Sequence, residues 1–142
     1  MEYTNTKDEN NIGINVTSTF IEWVKGFPGD KKDINYHGHF KINLSTESGS
    51  ESFDYYGSAN DAGKQKTMMS DEDLKGALEC IISDGLSGLY SFDEFCAEFA
   101  YDEDSRRAEK IYNACKDTYD RLSALGINED EMYVIVNDLN EV

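Results

Sequence analysis

The hydrophobic period changes once along this chain, and that change constrains the fold more than any other feature. Up to about residue 57, apolar and polar side chains alternate, as where Phe40, Ile42 and Leu44 interleave with Lys41, Asn43 and Ser45. A period of two marks a strand with one buried face. From residue 70 the period is 3.6, with Leu74, Ala77, Leu78, Ile81 and Ile82 on one helical stripe. Strands first and helices after them predict an α+β fold, with the helices on one face of an antiparallel sheet.

The strand region reads as a three-stranded antiparallel meander over residues 14–57. Residues 14–24 (INVTSTFIEWV) are rich in β-branched and aromatic side chains. A turn at residues 26–30 holds the only proline, Pro28. The strand of Phe40 follows, then a hairpin turn at 47–50, then a third strand over 52–57. The first dozen residues are polar and unpatterned and are expected to fray, and 58–66 is a loop by composition.

The helical part spans 70–140 and holds three to four helices. Ser70 is the expected N-cap of the first, and Gly85 its end. Ser91 with Glu94 matches a capping box for a short helix presenting Phe92, Phe95, Cys96 and Phe99. A long helix from near Glu103 to Gly126 shows Ala108, Ile111, Tyr112, Cys115, Tyr119 and Leu122 on one side. Asn128 caps a last helix with Met132, Ile135, Val136 and Leu139 turned inward. Each half alone is small, so residues 1–142 are expected to form a single domain around one shared core.

Charge is uneven. The chain carries 29 Asp and Glu against 13 Lys and Arg, for a net −16. Residues 1–69 contribute ten acids and seven bases, residues 70–142 nineteen acids and six bases. This balance argues against direct nucleic-acid binding, which draws on clustered Lys and Arg. Twelve per cent aromatics argue against a disordered acidic tail. Three acidic triplets, Asp71-Glu72-Asp73, Asp102-Glu103-Asp104 and Glu129-Asp130-Glu131, sit at expected helix N-termini, where the helix dipole favours them. Dipole complementarity does not account for Glu79, Asp84, Glu98, Asp138 or Glu141. Carboxylates at i and i+4 lie about 5–6 Å apart, a spacing comparable to successive phosphates. A rigid acidic helical face can therefore compete for a groove built for DNA or RNA. The expected contact residues for a basic partner are Asp71, Glu72, Asp73, Glu79, Asp93, Glu94, Glu129, Asp130, Glu131 and Asp138. The alternative is assembly or homodimerisation through an apolar surface that includes Tyr3, Trp23, Phe27, Tyr36 or Tyr90.

Signs of catalysis are weak. His37 and His39, the only histidines, would share one strand face at i and i+2. No further ligand stands beside them at a recognised spacing, so solvent-facing or turn histidines are expected rather than a metal site. Cys80, Cys96 and Cys115 fall on apolar helical stripes as small buried hydrophobes. Asp102-Glu103-Asp104-Ser105 lacks the glycine and the closing glutamate of a calcium loop. The chain is read as a non-enzyme with no cofactor and no metal. Three cysteines without paired spacing fit a reducing cytoplasm. No apolar run approaches a membrane span, and no basic-then-apolar leader opens the sequence, so neither membrane insertion nor export is expected.

One segment carries a likeness. Residues 91–115, SFDEFCAEFAYDEDSRRAEKIYNAC, resemble a family of small proteins from phages and mobile elements of gut bacteria. The shared pattern is Phe-x-x-Phe-Cys-x-Glu-Phe-Gly-Tyr-x-x-Asp-Ser, then an alanine and a tyrosine-bearing helix. Phe92, Phe95, Cys96, Glu98, Phe99, Tyr101, Asp104, Ser105, Ala108 and Tyr112 match it. Ala100 stands where the pattern has glycine, and the turn there is expected to be less left-handed. Physically the motif is a packing unit, with aromatics inward, a cap at Asp104 and a helix after it. The resemblance implies a phage origin. By analogy it implies an anti-CRISPR protein that occupies the basic channel or the PAM-reading surface of a Cas effector in the host cytoplasm.

Overall fold

The computed structural model describes residues 1–5, 12–57 and 67–140. Among these residues four strands, β1 (Glu2–Asn5), β2 (Ile12–Lys25), β3 (Tyr36–Thr46) and β4 (Gly49–Tyr56), form an antiparallel sheet in the order β1-β2-β3-β4. Four helices follow: α1 (Asp71–Ser87), α2 (Phe92–Phe99), α3 (Arg106–Ala124) and α4 (Glu129–Asn140). The fold is α+β, but the sheet has four strands rather than three.

The additional strand is β1. Tyr3 pairs with Ile14 and is buried, and the N-terminal ammonium donates to the Val16 carbonyl at 2.8 Å. One aromatic among four residues is too short a stretch to show a period. Partner strand and core make the strand, so the expected fraying does not hold at residues 2–5. The rest of that opening stretch, 6–11, and the loop read at 58–66 lie outside the described residues.

In β2 and β3 the alternation is followed closely. Ile14, Val16, Ile42 and Leu44 are fully buried, and Phe53 of β4 lies on the same face. A bulge at Ile21 shifts the register between Phe20 and Glu22. It moves Trp23 to the side of Phe20 and Phe40, where Trp23 and Phe40 rings both contact Phe20. The core is one cluster drawing on both halves of the chain, with Leu78, Ile82, Leu122, Met132 and Ile135 supplied by the helices.

Three helix boundaries depart from the sequence reading. α1 runs through Gly85 to Ser87, with Gly88 as its C-cap. Gly85 is instead a crossing point, where a Cβ would lie 2.7 Å from Leu122 Cδ1. α3 starts at Arg106, because Ser105 rather than Asp104 caps it by accepting from the Ala108 N–H. The acidic triplet at 102–104 therefore precedes the helix and does not occupy its first turn. Ala100, at the end of α2, adopts φ 58° and ψ 43° despite its side chain. The left-handed turn expected of glycine is thus kept by alanine, and the bond from the Tyr101 N–H to the Cys96 carbonyl closes it at 2.9 Å.

α1 and α3 pack tightly at Gly88, where a Cβ would sit 2.6 Å from the Cys115 carbonyl oxygen and 2.8 Å from the Lys116 nitrogen. These are backbone atoms and cannot rotate away. Gly88→Ala is expected to lower stability by about 1–3 kcal/mol, read as a lower urea midpoint. Gly76→Ala, in the middle of α1 where a Cβ meets open space, should instead raise the midpoint slightly.

Candidate functional site

The helix caps decide which carboxylates are already engaged. Ser70 accepts from the Asp73 N–H at 3.2 Å, and Asp73 accepts from the Ser70 N–H at 3.1 Å, a complete capping box. Ser91 accepts from the Glu94 N–H, and its hydroxyl donates to Glu94 Oε1 at 2.8 Å. Asn128 accepts from the Glu131 N–H at 2.8 Å, while Glu131 Oε1 stands 3.5 Å from the Asn128 N–H. Asp138 accepts from the Tyr3 hydroxyl at 2.6 Å. Asp73, Glu94, Glu131 and Asp138 therefore each have a structural task. Among the described residues, Asp71, Glu72, Glu79, Asp93, Glu129 and Asp130 pair with no cation and bond to no neighbour.

Two adjoining grooves gather part of this charge at the β1 edge of the sheet. The first, of about 660 Å³, is lined by Glu2 and Thr4 of β1, Glu72, Lys75 and Glu79 of α1, and Asp138 of α4. The second, of about 610 Å³, is lined by Glu2 of β1, Glu47 and Ser48 of the β3–β4 turn, Gly126 and Glu131. Glu2 borders both. Among the described residues, Lys75 and the N-terminal ammonium are the only cations lining them, and the ammonium is bonded to Val16. The chain brings these groups together because α1 and α4 lie antiparallel. The start of α1 meets the end of α4 beside Tyr3, and Gly85 near its end faces Met132.

Of the ten residues expected to make contact, Glu72, Glu79 and Asp138 share the first groove and Glu131 lines the second. Asp71, Asp73, Glu129 and Asp130 are exposed at helix starts outside both linings, and Asp93 and Glu94 stand apart on α2. The sequence reading missed Glu2 and Glu47. Their only local signal is position, in a four-residue strand and a two-residue turn.

The histidines occupy the opposite face of the sheet. Both point to one side, as the i, i+2 spacing requires, but His37 is only 8 % exposed, so the solvent-facing expectation fails for it. His39 Nε2 lies 2.8 Å from Asp54 Oδ1, its ring stacks on Tyr56, and Lys41 Nζ reaches the same Asp54 oxygen at 2.8 Å. Lys41 first, and then His39, hold the Asp54 carboxyl below its ordinary value. Among the described residues, no three His, Cys, Asp or Glu side chains form a group able to hold a metal ion.

Cys96 and Cys115 are buried as expected, whereas Cys80 is exposed on α1. Burial raises all three thiols, with Asp84 adding to the effect at Cys80 and Cys115, and Cys115 is pushed up to about 11. They are protonated at neutral pH, the wrong state for a nucleophile. Among the described residues, no helix is long and apolar enough to cross a membrane.

Compared with protein-family models, curated proteins and solved structures, the chain finds no match.

Proposed function

We propose that the protein is a non-enzymatic inhibitor whose β1-edge grooves occupy the basic nucleic-acid-binding surface of another protein. The observation that carries this reading is the convergence of Glu2, Glu72, Glu79 and Asp138 around Lys75, continued through Glu2 to Glu47 and Glu131. Carboxylates from two helices, a strand and a turn are held at fixed positions by a folded core. A phosphate-binding surface gains affinity by releasing counterions, and a rigid array of carboxylates draws on the same effect. The likeness of residues 91–115 to phage proteins adds the target class: a host defence effector that grips DNA or RNA, so that the chain would act as an anti-CRISPR protein in the host cytoplasm.

The experiment is a binding assay against a panel of purified Cas effectors, with and without competing oligonucleotide. The expected result is a complex that weakens as salt rises and that the oligonucleotide displaces. A complex that persists with nucleic acid bound in the same channel would overturn the mimicry.

A second reading has one observation in its favour. Tyr90 and Phe99 are exposed and stand edge to face, with ring centroids 6.2 Å apart, and exposed Leu89 precedes Tyr90. Assembly through that surface, including homodimer formation, would survive high salt, which gel filtration measures directly. Of the other aromatics named for this alternative, Tyr3 is buried and Trp23 half-buried, while Phe27 and Tyr36 are exposed.

A further inference from the structure

The sheet face opposite the helices holds an arrangement that the acidic grooves do not use. His37 Nδ1 lies 3.0 Å from the Gly57 carbonyl oxygen, and its Nε2 lies 2.6 Å from Asp33 Oδ2. Both oxygens are acceptors. A neutral imidazole has one N–H and one lone pair, so it can bond one of them and must turn a lone pair towards the other. Only the imidazolium donates to both. We propose that protonated His37 is a latch that fastens the β2–β3 turn to the end of β4, and that loss of its proton opens that turn.

Each end of the latch is tied into the backbone. Asp33 organises the turn: it accepts from the Phe27 N–H at 2.9 Å, the Asn35 N–H at 2.9 Å and the Asn35 side-chain amide at 3.0 Å. The turn also closes through the Gly26 N–H and the Asn35 carbonyl at 2.6 Å. Gly57 continues β4 and donates to the Gly38 carbonyl at 2.8 Å. Phe27 then sets its ring edge-on to both His37 and Tyr56, at 5.7 Å each. Protonation of one ring therefore bears on the position of an exposed aromatic, Phe27, and of Gly57 at the end of β4.

Among the described residues, the groups facing His37 are few. Asp33 comes from the turn, Tyr56 and Gly57 from the end of β4, and uncharged Val24 pairs with it from β2. Further along the same face, Glu22 pairs with His39, and His39, Asp54 and Lys41 form their own cluster. The bond to Gly57 raises His37 above its ordinary 6.5, burial opposes this, and Asp33 adds to the rise. Asp33 is lowered from 3.8 to about 2, chiefly by the Asn35 N–H and next by His37. A raised histidine stabilises the fold fully below 6.5 and loses that contribution as pH climbs through its folded value. A lowered aspartate contributes above 3.8 and loses it as pH falls through about 2. The latch is thus closed at pH values below the ordinary histidine range, down towards the lowered Asp33 value, and opens as pH rises through the raised value of His37.

Long-range proton–nitrogen spectra of the labelled protein, recorded from pH 5 to 9 alongside amide exchange, test this. Both His37 ring nitrogens should carry protons at pH 6, with a midpoint above that of free histidine. Protection of the Phe27, Asn35 and Gly57 amides, corrected for intrinsic exchange, should fall through that same midpoint. The fall is up to about tenfold for each unit by which the folded value exceeds the unfolded one. Ile42 and Leu44 amides should show no such step. His37→Gln should remove the step, and if that variant does not fold, the wild-type titration still decides. A His37 ring carrying one proton at pH 6, or turn amides indifferent to its midpoint, would overturn the latch.

Discussion

Reversing Glu2, Glu72 and Glu79 to lysine is expected to weaken binding to a basic nucleic-acid-binding effector by about a hundredfold or more at low salt. Each reversal exchanges an attraction for a repulsion at the edge of an interface. At about 1 kcal/mol per site, three sites together cost about 3 kcal/mol, which is two orders of magnitude in Kd. The salt dependence of binding should become shallower as well, since fewer ions are released on association. Among the described residues, Glu72 and Glu79 hold no structural partner, so the triple variant should keep the wild-type urea midpoint closely. Asp138 is left out because it accepts from Tyr3. Reversal of Asp93 and Glu98 on α2, away from both grooves, should have a much smaller effect. Titration calorimetry of both variants separates the two surfaces, and equal losses would remove the β1-edge grooves as the contact.

The largest effect on stability is expected from Leu78→Ala. Leu78 is fully buried within the one core cluster. Truncating such a leucine costs about 2–5 kcal/mol through lost burial and the cavity left behind. Against a typical total of about 5–15 kcal/mol, that is a large fraction. Urea unfolding should show a lower midpoint with unchanged slope. Leu89→Ala, at a position 37 % exposed, should change the midpoint little. The same experiment examines whether the two halves unfold together. The only tryptophan, Trp23, reports on the sheet, while far-ultraviolet circular dichroism is dominated by the helices. One shared core predicts coincident transitions from the two probes. Separate transitions would divide the chain at the junction between sheet and helices.

Long periodic segments are legible in the sequence itself. The alternation through Phe40, Ile42 and Leu44 and the stripe through Leu74, Leu78 and Ile82 each repeat often enough to identify strand and helix. The serine caps at Ser70 and Ser91 were equally plain, because a cap is a local bond between residues three apart. Gly85 misled because glycine at a helix end and glycine at a helix crossing look alike in sequence. Only the approach of Leu122 tells them apart. Arg121 shows the same limit from the other direction. Its i, i+4 spacing pairs it with Asp117, whose Oδ2 lies 3.9 Å from Arg121 Nη1, but its Nε also donates to Glu51 at 3.1 Å, and its guanidinium bonds the Ser52 carbonyl and covers the Phe53 ring at 4.2 Å. That joins α3 to β4 across some seventy residues, beyond the reach of any local pattern.

The sequence alone determined the α+β class, the seat of excess negative charge in the helical half and the positions of three helix caps. These follow from periodicity, counting and bonds between near neighbours. Tertiary structure decided which carboxylates share a surface, that Glu2 and Glu47 belong with them, and that His37 faces two acceptors at once. Each of these depends on which strand pairs with which and how the helices cross. Such contacts are fixed by burial shared among distant segments, and no stretch of the chain encodes them separately.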